Sequence, residues 1–135
     1  MTGRGGARSD SAFFITMISG VGIDIVDAKR FADYSDKSDI RLSKLFTAAE
    51  LDYCFGQNTP SNSLAGKFAA KEAVIKILIN QGINMTHLKE IEILNDANGK
   101  PFVNSSLLED INAKLKISIS HDGNSAIAIA IMEQG

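Results

Sequence analysis

The chain has 135 residues, 44% of them hydrophobic and 22% charged, which is enough apolar mass for one domain with its own core. A formal net charge of −2 excludes the overall basic bias of a protein held to nucleic acid by phosphate neutralisation, and a single cysteine excludes a disulfide framework or a thiolate metal cluster. No apolar run approaches the length of a bilayer span, so the chain is read as soluble and cytoplasmic, with neither nucleic acid nor membrane as partner.

Residues 1–16 open with a Gly-, Arg- and Ser-rich stretch and are read as a disordered leader or the remnant of an upstream start, outside the fold, leaving residues 17–135 as one domain. Met17 to Val26 is apolar and β-branched, interrupted by Gly20 and Gly22 and running into Asp24 and Asp27, which predicts a strand that another group approaches closely. Asp27 is placed to cap a short helix over Ala28 to Tyr34 and Asp39 another through Leu45, with Lys29, Arg30, Arg41 and Lys44 facing outward. Thr47 and Glu50 have the spacing of a capping box for a helix that runs to Phe55 and ends at Gly56. Cys54, on that helix with no histidine beside it, is read as a core thiol.

The longest helix is predicted from Ser63 to Asn80, started by caps in Pro60 to Ser63 and stopped by Gly82. Lys89 to Leu94 and Lys100 to Val103 form a hairpin about the Asn98-Gly99 turn, with Pro101 marking an edge. Ser105 and Ser106 open a helix through Leu115, and Lys116 to His121 is a strand with Ile117 and Ile119 on one face. Ala126 to Met132 alternates alanine with isoleucine, a strand whose alanine face lies against a helix or another subunit. The order of elements is α+β: a small, mostly antiparallel sheet packed on one long helix and several shorter ones.

Three polar positions interrupt these apolar segments: Asp24, Glu72 and His121. Each has a plain structural reading, as a strand-end turn residue, a helix position paired with Lys76, and a hairpin opener. Together they have a chemical one, because two carboxylates from different elements suit Mg²⁺, which takes its remaining ligands from water and phosphate oxygens. Lys67, Lys71 and Lys76 repeat along the long helix, and cations beside such a centre would neutralise phosphoryl oxygens in transfer.

Gly20-Val21-Gly22-Ile23-Asp24-Ile25-Val26 resembles the opening G-x-G-x-D-[IV] signature of the holo-acyl-carrier-protein synthases, and Phe68-Ala69-Ala70-Lys71-Glu72-Ala73 with Lys76 resembles their F-A-A-K-E-A-x-x-K signature. Phe46-Thr47 with Glu50, Asn98-Gly99-Lys100-Pro101, and Ser118-Ile119-Ser120-His121 resemble three further family elements, all in the family's order from Met17 onward.

The resemblance implies a 4′-phosphopantetheinyl transferase-like fold and transfer of 4′-phosphopantetheine from coenzyme A to a serine of an apo acyl carrier protein, releasing 3′,5′-ADP. It implies that Asp24 and Glu72 bind Mg²⁺, that Lys76 and His121 contact phosphate, and that Gly99, Lys100 and Pro101 line the nucleotide site. Lys67 stands where the family more often has arginine. Arg30 is implied to dock the carrier, with Arg41 and Lys44 sharing the task because Asp33 to Asp39 is more acidic than the usual docking helix. A water held by the metal, or Glu72 itself, is the implied base, and a homotrimer with sites between subunits is the implied assembly. Two competing readings are another Mg²⁺-dependent nucleotide or phosphoryl transferase and a non-catalytic trimeric binding module.

Overall fold

The computed structural model describes residues 17–85, 87–109 and 111–134; the expected leader at 1–16 lies outside the described residues. Strand β1 spans Met17–Asp27, and Asp27 accepts from the Lys29 amide at 2.9 Å to cap a single 3₁₀ turn over Ala28–Phe31. Short helix α1 (Ile40–Ser43) is capped in the same way by Asp39. Helix α2 (Ala48–Phe55) opens with the predicted box: Thr47 Oγ1 accepts from the Glu50 amide and Glu50 Oε1 accepts from the Thr47 amide.

Helix α3 runs over Pro60–Asn80, three residues earlier than predicted. Pro60 stands at its first turn, where a missing N–H costs nothing. Strands β2 (Glu92–Asn95) and β3 (Pro101–Asn104) form a separate two-stranded sheet. Their connection closes with Gly99 N–H donating to the Asp96 carbonyl at 2.9 Å, and Gly99 takes a φ of 84°. Asn98 does not share the positive φ, so this is a type I turn followed by a left-handed glycine, the arrangement that re-registers a three-residue hairpin loop.

The predicted helix from Ser105 to Leu115 is corrected. Only a 3₁₀ turn forms, at Ser106–Leu108, and strand β4 already begins at Ala113 and runs to Asp122. Its early residues are claimed by strand β5 (Ser125–Gln134): Ala113 pairs with Gln134 and Leu115 with Met132. The main sheet is antiparallel in the order β1-β5-β4.

That sheet lays one face on α3. Ala126, Ala128 and Ala130 are fully buried, so the alanine stripe of β5 meets a helix, and small side chains let the backbones approach. The opposite face of the sheet carries the isoleucines. Val21, Ile23 and Ile25 of β1 pair with Ile131, Ile129 and Ile127 of β5, and the three β1 residues are 56%, 57% and 63% exposed. Phe31, Phe46 and Phe68, in tilted and edge contacts, extend the same core away from the sheet.

Candidate active site

Glycine at position 22 decides how β1 meets α3. A Cβ there would lie 1.9 Å from the Ala73 carbonyl oxygen, a backbone atom that cannot swing aside, so the two backbones touch only because residue 22 has no side chain. Two residues on, Asp24 points to the same face and is held against the helix. Lys76 Nζ donates to the Ile23 carbonyl at 2.6 Å and lies 3.3 Å from Asp24 Oδ1. The Asp24 side chain is 22% exposed.

Glu72, one helical turn before Lys76, is half-buried on that flank of α3 and has no ion-pair or hydrogen-bond partner among the described residues. Thus Asp24, Glu72 and Lys76 share one neighbourhood. Arg30 borders it, with its guanidinium 4.4 Å over the Phe68 ring, itself one turn before Glu72.

A second locus lies around the N-terminal third of α3. His121, at the end of β4, sets Nε2 3.0 Å from the Asn62 carbonyl and against Gly66, where a Cβ would meet both the imidazole and Ile119 at 3.0 Å. Here Tyr53, Ser63, Lys67, Asn95, Gly99, Pro101 and His121 enclose a cleft of about 200 Å³. Four sequence-predicted positions, Lys67, Gly99, Pro101 and His121, therefore meet around one space. Lys100 is exposed beside it.

At about 100° of turn per residue, Gly66 and Lys67 lie on different flanks of α3 from Glu72. Glu72 is not among the residues that line the cleft holding His121.

The family profile for "ACPS: 4′-phosphopantetheinyl transferase superfamily" matches residues 20–131. The chain belongs to that superfamily. Among its relatives, a holo-[acyl-carrier-protein] synthase from Protochlamydia amoebophila is 45% identical over 122 residues, 85% of this chain and 98% of that protein. One from Clostridium perfringens is 40% identical over 127 residues, 87% of this chain and 95% of that protein. The solved holo-[acyl-carrier-protein] synthase of Neisseria meningitidis superposes with a TM-score of 0.73 at 30% identity, covering 87% of this chain and 100% of that one. A Bacillus anthracis holo-(acyl-carrier-protein) synthase in complex with coenzyme A (3′,5′-ADP) superposes with a TM-score of 0.70 at 30% identity, covering 88% and 99%.

As a phosphopantetheinyl transferase the chain is an enzyme, and its fold is that of the holo-acyl-carrier-protein synthases. Two features of its site depart from the expected array of cations. Lys71 is a correction: its amine is fully buried on the flank away from Glu72, 2.8 Å from Glu50 Oε1, and donates to the Ile91 carbonyl at 2.7 Å and the Leu88 carbonyl at 3.1 Å. Burial pushes it below the ordinary lysine range, and Glu50 opposes that shift. Lys71 is thus a structural post between α2, α3 and β2, with no surface left for phosphate.

Lys67 lines the cleft, but its amine is turned inward and donates to the Ile93 carbonyl and to Asn95 Oδ1, each at 2.6 Å. Among the expected docking cations, Arg41 is exposed but has its fork filled by Asp39, at 2.8 and 3.1 Å, and Lys44 is exposed. Cys54 is fully buried, accepts from Ser63 Oγ at 3.2 Å, and has its thiol pushed up by burial, as a core residue should.

Sequence reasoning missed Glu50 and Asn95 as organisers. Glu50 Oε2 accepts from the Ile93 amide at 2.8 Å, so one buried carboxylate joins the α2 cap, α3 and β2. The capping box gave a signal for Glu50 at α2 alone, and nothing in the sequence marks Asn95.

Proposed function

We propose that this enzyme transfers 4′-phosphopantetheine from coenzyme A to a serine of an apo acyl carrier protein, with Mg²⁺ bound and 3′,5′-ADP released. The observation that supports it most is the contact of Gly22 with Ala73, which seats Asp24 against the helix bearing Glu72 and Lys76. Asp24 and Glu72 supply hard carboxylate oxygens, the second half-buried and without a partner among the described residues, and the donor set fits an ion that takes one or two carboxylates and completes its shell from phosphate and water. When bound, the ion would offset charge on the diphosphate oxygens.

The residues of this chain do the rest. Lys76, already beside Asp24, sits where it would meet negative charge as the phosphoanhydride breaks. His121 and the Gly99-Lys100-Pro101 turn border the cleft that would take the nucleotide end of coenzyme A, much as a Bacillus anthracis relative is described with coenzyme A (3′,5′-ADP). Arg30, stacked on Phe68 at the rim of the carboxylate site, would meet the acidic carrier, with Arg41 and Lys44 further out.

Because His121 and Glu72 lie on different flanks of α3, we place the working site between protomers of a homotrimer. The exposed aliphatic face of β1 and β5 supports this. It borders Asp24 and Lys76 through Ile23, Ile25 and Ile127, so a second copy seated there would bring its own cleft to these carboxylates. From its likeness to the holo-[acyl-carrier-protein] synthases we also place the enzyme in the cytoplasm and in fatty acid synthesis.

Coenzyme A labelled in the pantetheine arm, mixed with apo carrier protein and Mg²⁺, tests the proposal. Label on the carrier, with a mass gain of one phosphopantetheine, is the expected outcome. Transfer of a terminal phosphate instead would turn the reading to another nucleotide-dependent transferase, and carrier binding without turnover would turn it to a binding module.

A further inference from the structure

The Asn95 carboxamide bridges two walls of the cleft, Lys67 on α3 and the turn at Gly99. Its Oδ1 accepts from Lys67 Nζ at 2.6 Å, and its Nδ2 donates to the Gly99 carbonyl at 3.0 Å. The orientation is fixed by chemistry, since an ammonium can only donate and a carbonyl can only accept. Lys67 is in turn anchored to the Ile93 carbonyl, two residues before Asn95 on β2, and is itself buried.

On the other side, the turn from Asp96 to Lys100 is tightened by Asp96 Oδ1, which accepts from the Asn98 and Lys100 amides, each at 2.9 Å. The turn is therefore a small rigid unit, but one that joins only two four-residue strands. A two-stranded ribbon has little stability of its own, and its exposed tip is free to sway unless something ties it back. Lys67 holds the base of the ribbon through the Ile93 carbonyl, and Asn95 carries that hold on to the turn at Gly99.

We propose that Asn95 is a positioning residue: by clipping the Asp96–Lys100 turn to Lys67 it sets the wall of the cleft against His121, acting through the turn and without touching substrate. The inference rests on the reading that this cleft takes the nucleotide of coenzyme A. It also reassigns Lys67, from a phosphate ligand to the anchor of the clip.

The test is steady-state kinetics on the oligomeric enzyme with coenzyme A and apo carrier varied separately. Asn95→Ala removes both bonds, and Asn95→Asp keeps an acceptor for Lys67 while losing the donor to Gly99. Both should raise KM for coenzyme A about three- to tenfold, the scale of one net hydrogen bond, with kcat and KM for the carrier within about twofold of the parent. Lys67→Met removes the other end of the clip, and combining it with Asn95→Ala should raise KM for coenzyme A no further than the larger of the two single changes.

An Asn95→Asp enzyme with unchanged KM would overturn the clip, and so would additive effects of Lys67→Met and Asn95→Ala, since two residues acting through one link cannot lose it twice. His121→Trp, which fills the cleft, separates the two levels. If it leaves KM for coenzyme A unchanged, the nucleotide binds elsewhere and the clip falls with the cleft reading. If it raises KM while Asn95→Ala does not, the clip alone is wrong.

Discussion

Lys76 Nζ lies 3.3 Å from Asp24 Oδ1 and donates to the Ile23 carbonyl at 2.6 Å, so a cation near the C-terminal end of α3 fixes both the backbone and the acid of β1 at the proposed metal site. The pairing ties the electrostatics of the site to the packing of the fold. Asp24→Asn and Glu72→Gln should each lower kcat by about a hundred- to a thousandfold with little change in thermal midpoint, and Lys76→Met by about a hundredfold. Turnover assays paired with thermal denaturation check this, and an active Glu72→Gln enzyme would remove Glu72 from the chemistry.

Gly22→Ala should act on stability and activity together. The new methyl would meet the Ala73 carbonyl, forcing β1 away from α3 at a cost of about 1–3 kcal/mol and carrying Asp24 with it. Chemical denaturation gives the first effect, and kcat on the still-folded fraction gives the second. A Gly22→Ala protein as stable as the parent would mean that the strand and helix are not in contact there.

The buried Lys71–Glu50 pair predicts an asymmetric response. Lys71→Met leaves the Glu50 carboxylate buried without its cation and should cost about 3–5 kcal/mol, whereas Lys71→Met with Glu50→Gln should recover part of that loss. A double-mutant cycle on unfolding free energies measures the coupling. Were Lys71 a phosphate ligand instead, the single change would leave stability nearly untouched and raise KM for coenzyme A.

Acid stability has a named contributor in Glu92. Burial opposes its ionisation, but hydrogen bonds from Thr47 Oγ1 at 2.6 Å and Asn104 Nδ2 at 2.9 Å, together with the nearby charges of Lys71 and Lys67, hold its carboxyl below the ordinary value of 4.5. A folded value below the unfolded one means that ionised Glu92 favours the fold. Its contribution is full above the ordinary glutamate value and is lost as pH falls through the lower folded value. Denaturation midpoints followed on the acid side should fall less steeply for Glu92→Gln than for the parent, and parallel curves would contradict this.

Local signals in the sequence translated well where one element decides the outcome. The capping box at Thr47 and Glu50, the caps at Asp27 and Asp39, and the glycines that let β1 approach a helix all formed as read. Misreadings arose where a partner element decides. Ser105 to Leu115 carries apolar residues that fit a helix face, but the long β5 strand needs a neighbour along its whole length and recruits Ala113 onward into β4.

Lys67 and Lys71 show the same limit at the site. Their spacing puts them on one flank of α3, but it cannot say which. Leu64, Val74 and Leu78 share that flank and are fully buried, and the carbonyls of Leu88, Ile91 and Ile93 with Glu50 receive the two amines there. The buried polar layer depends on non-local acceptors that no helical periodicity reveals.

In the proposed homotrimer the carboxylates of one protomer work with the cleft of another. Two enzymes disabled on opposite sides, Asp24→Asn with Glu72→Gln in one and His121→Trp in the other, can be co-expressed with different tags and purified as mixed oligomers. Shared sites predict that the mixture regains phosphopantetheine transfer that neither parent shows alone. If mixed oligomers form and stay as inactive as the two parents, the site is not built across the subunit boundary.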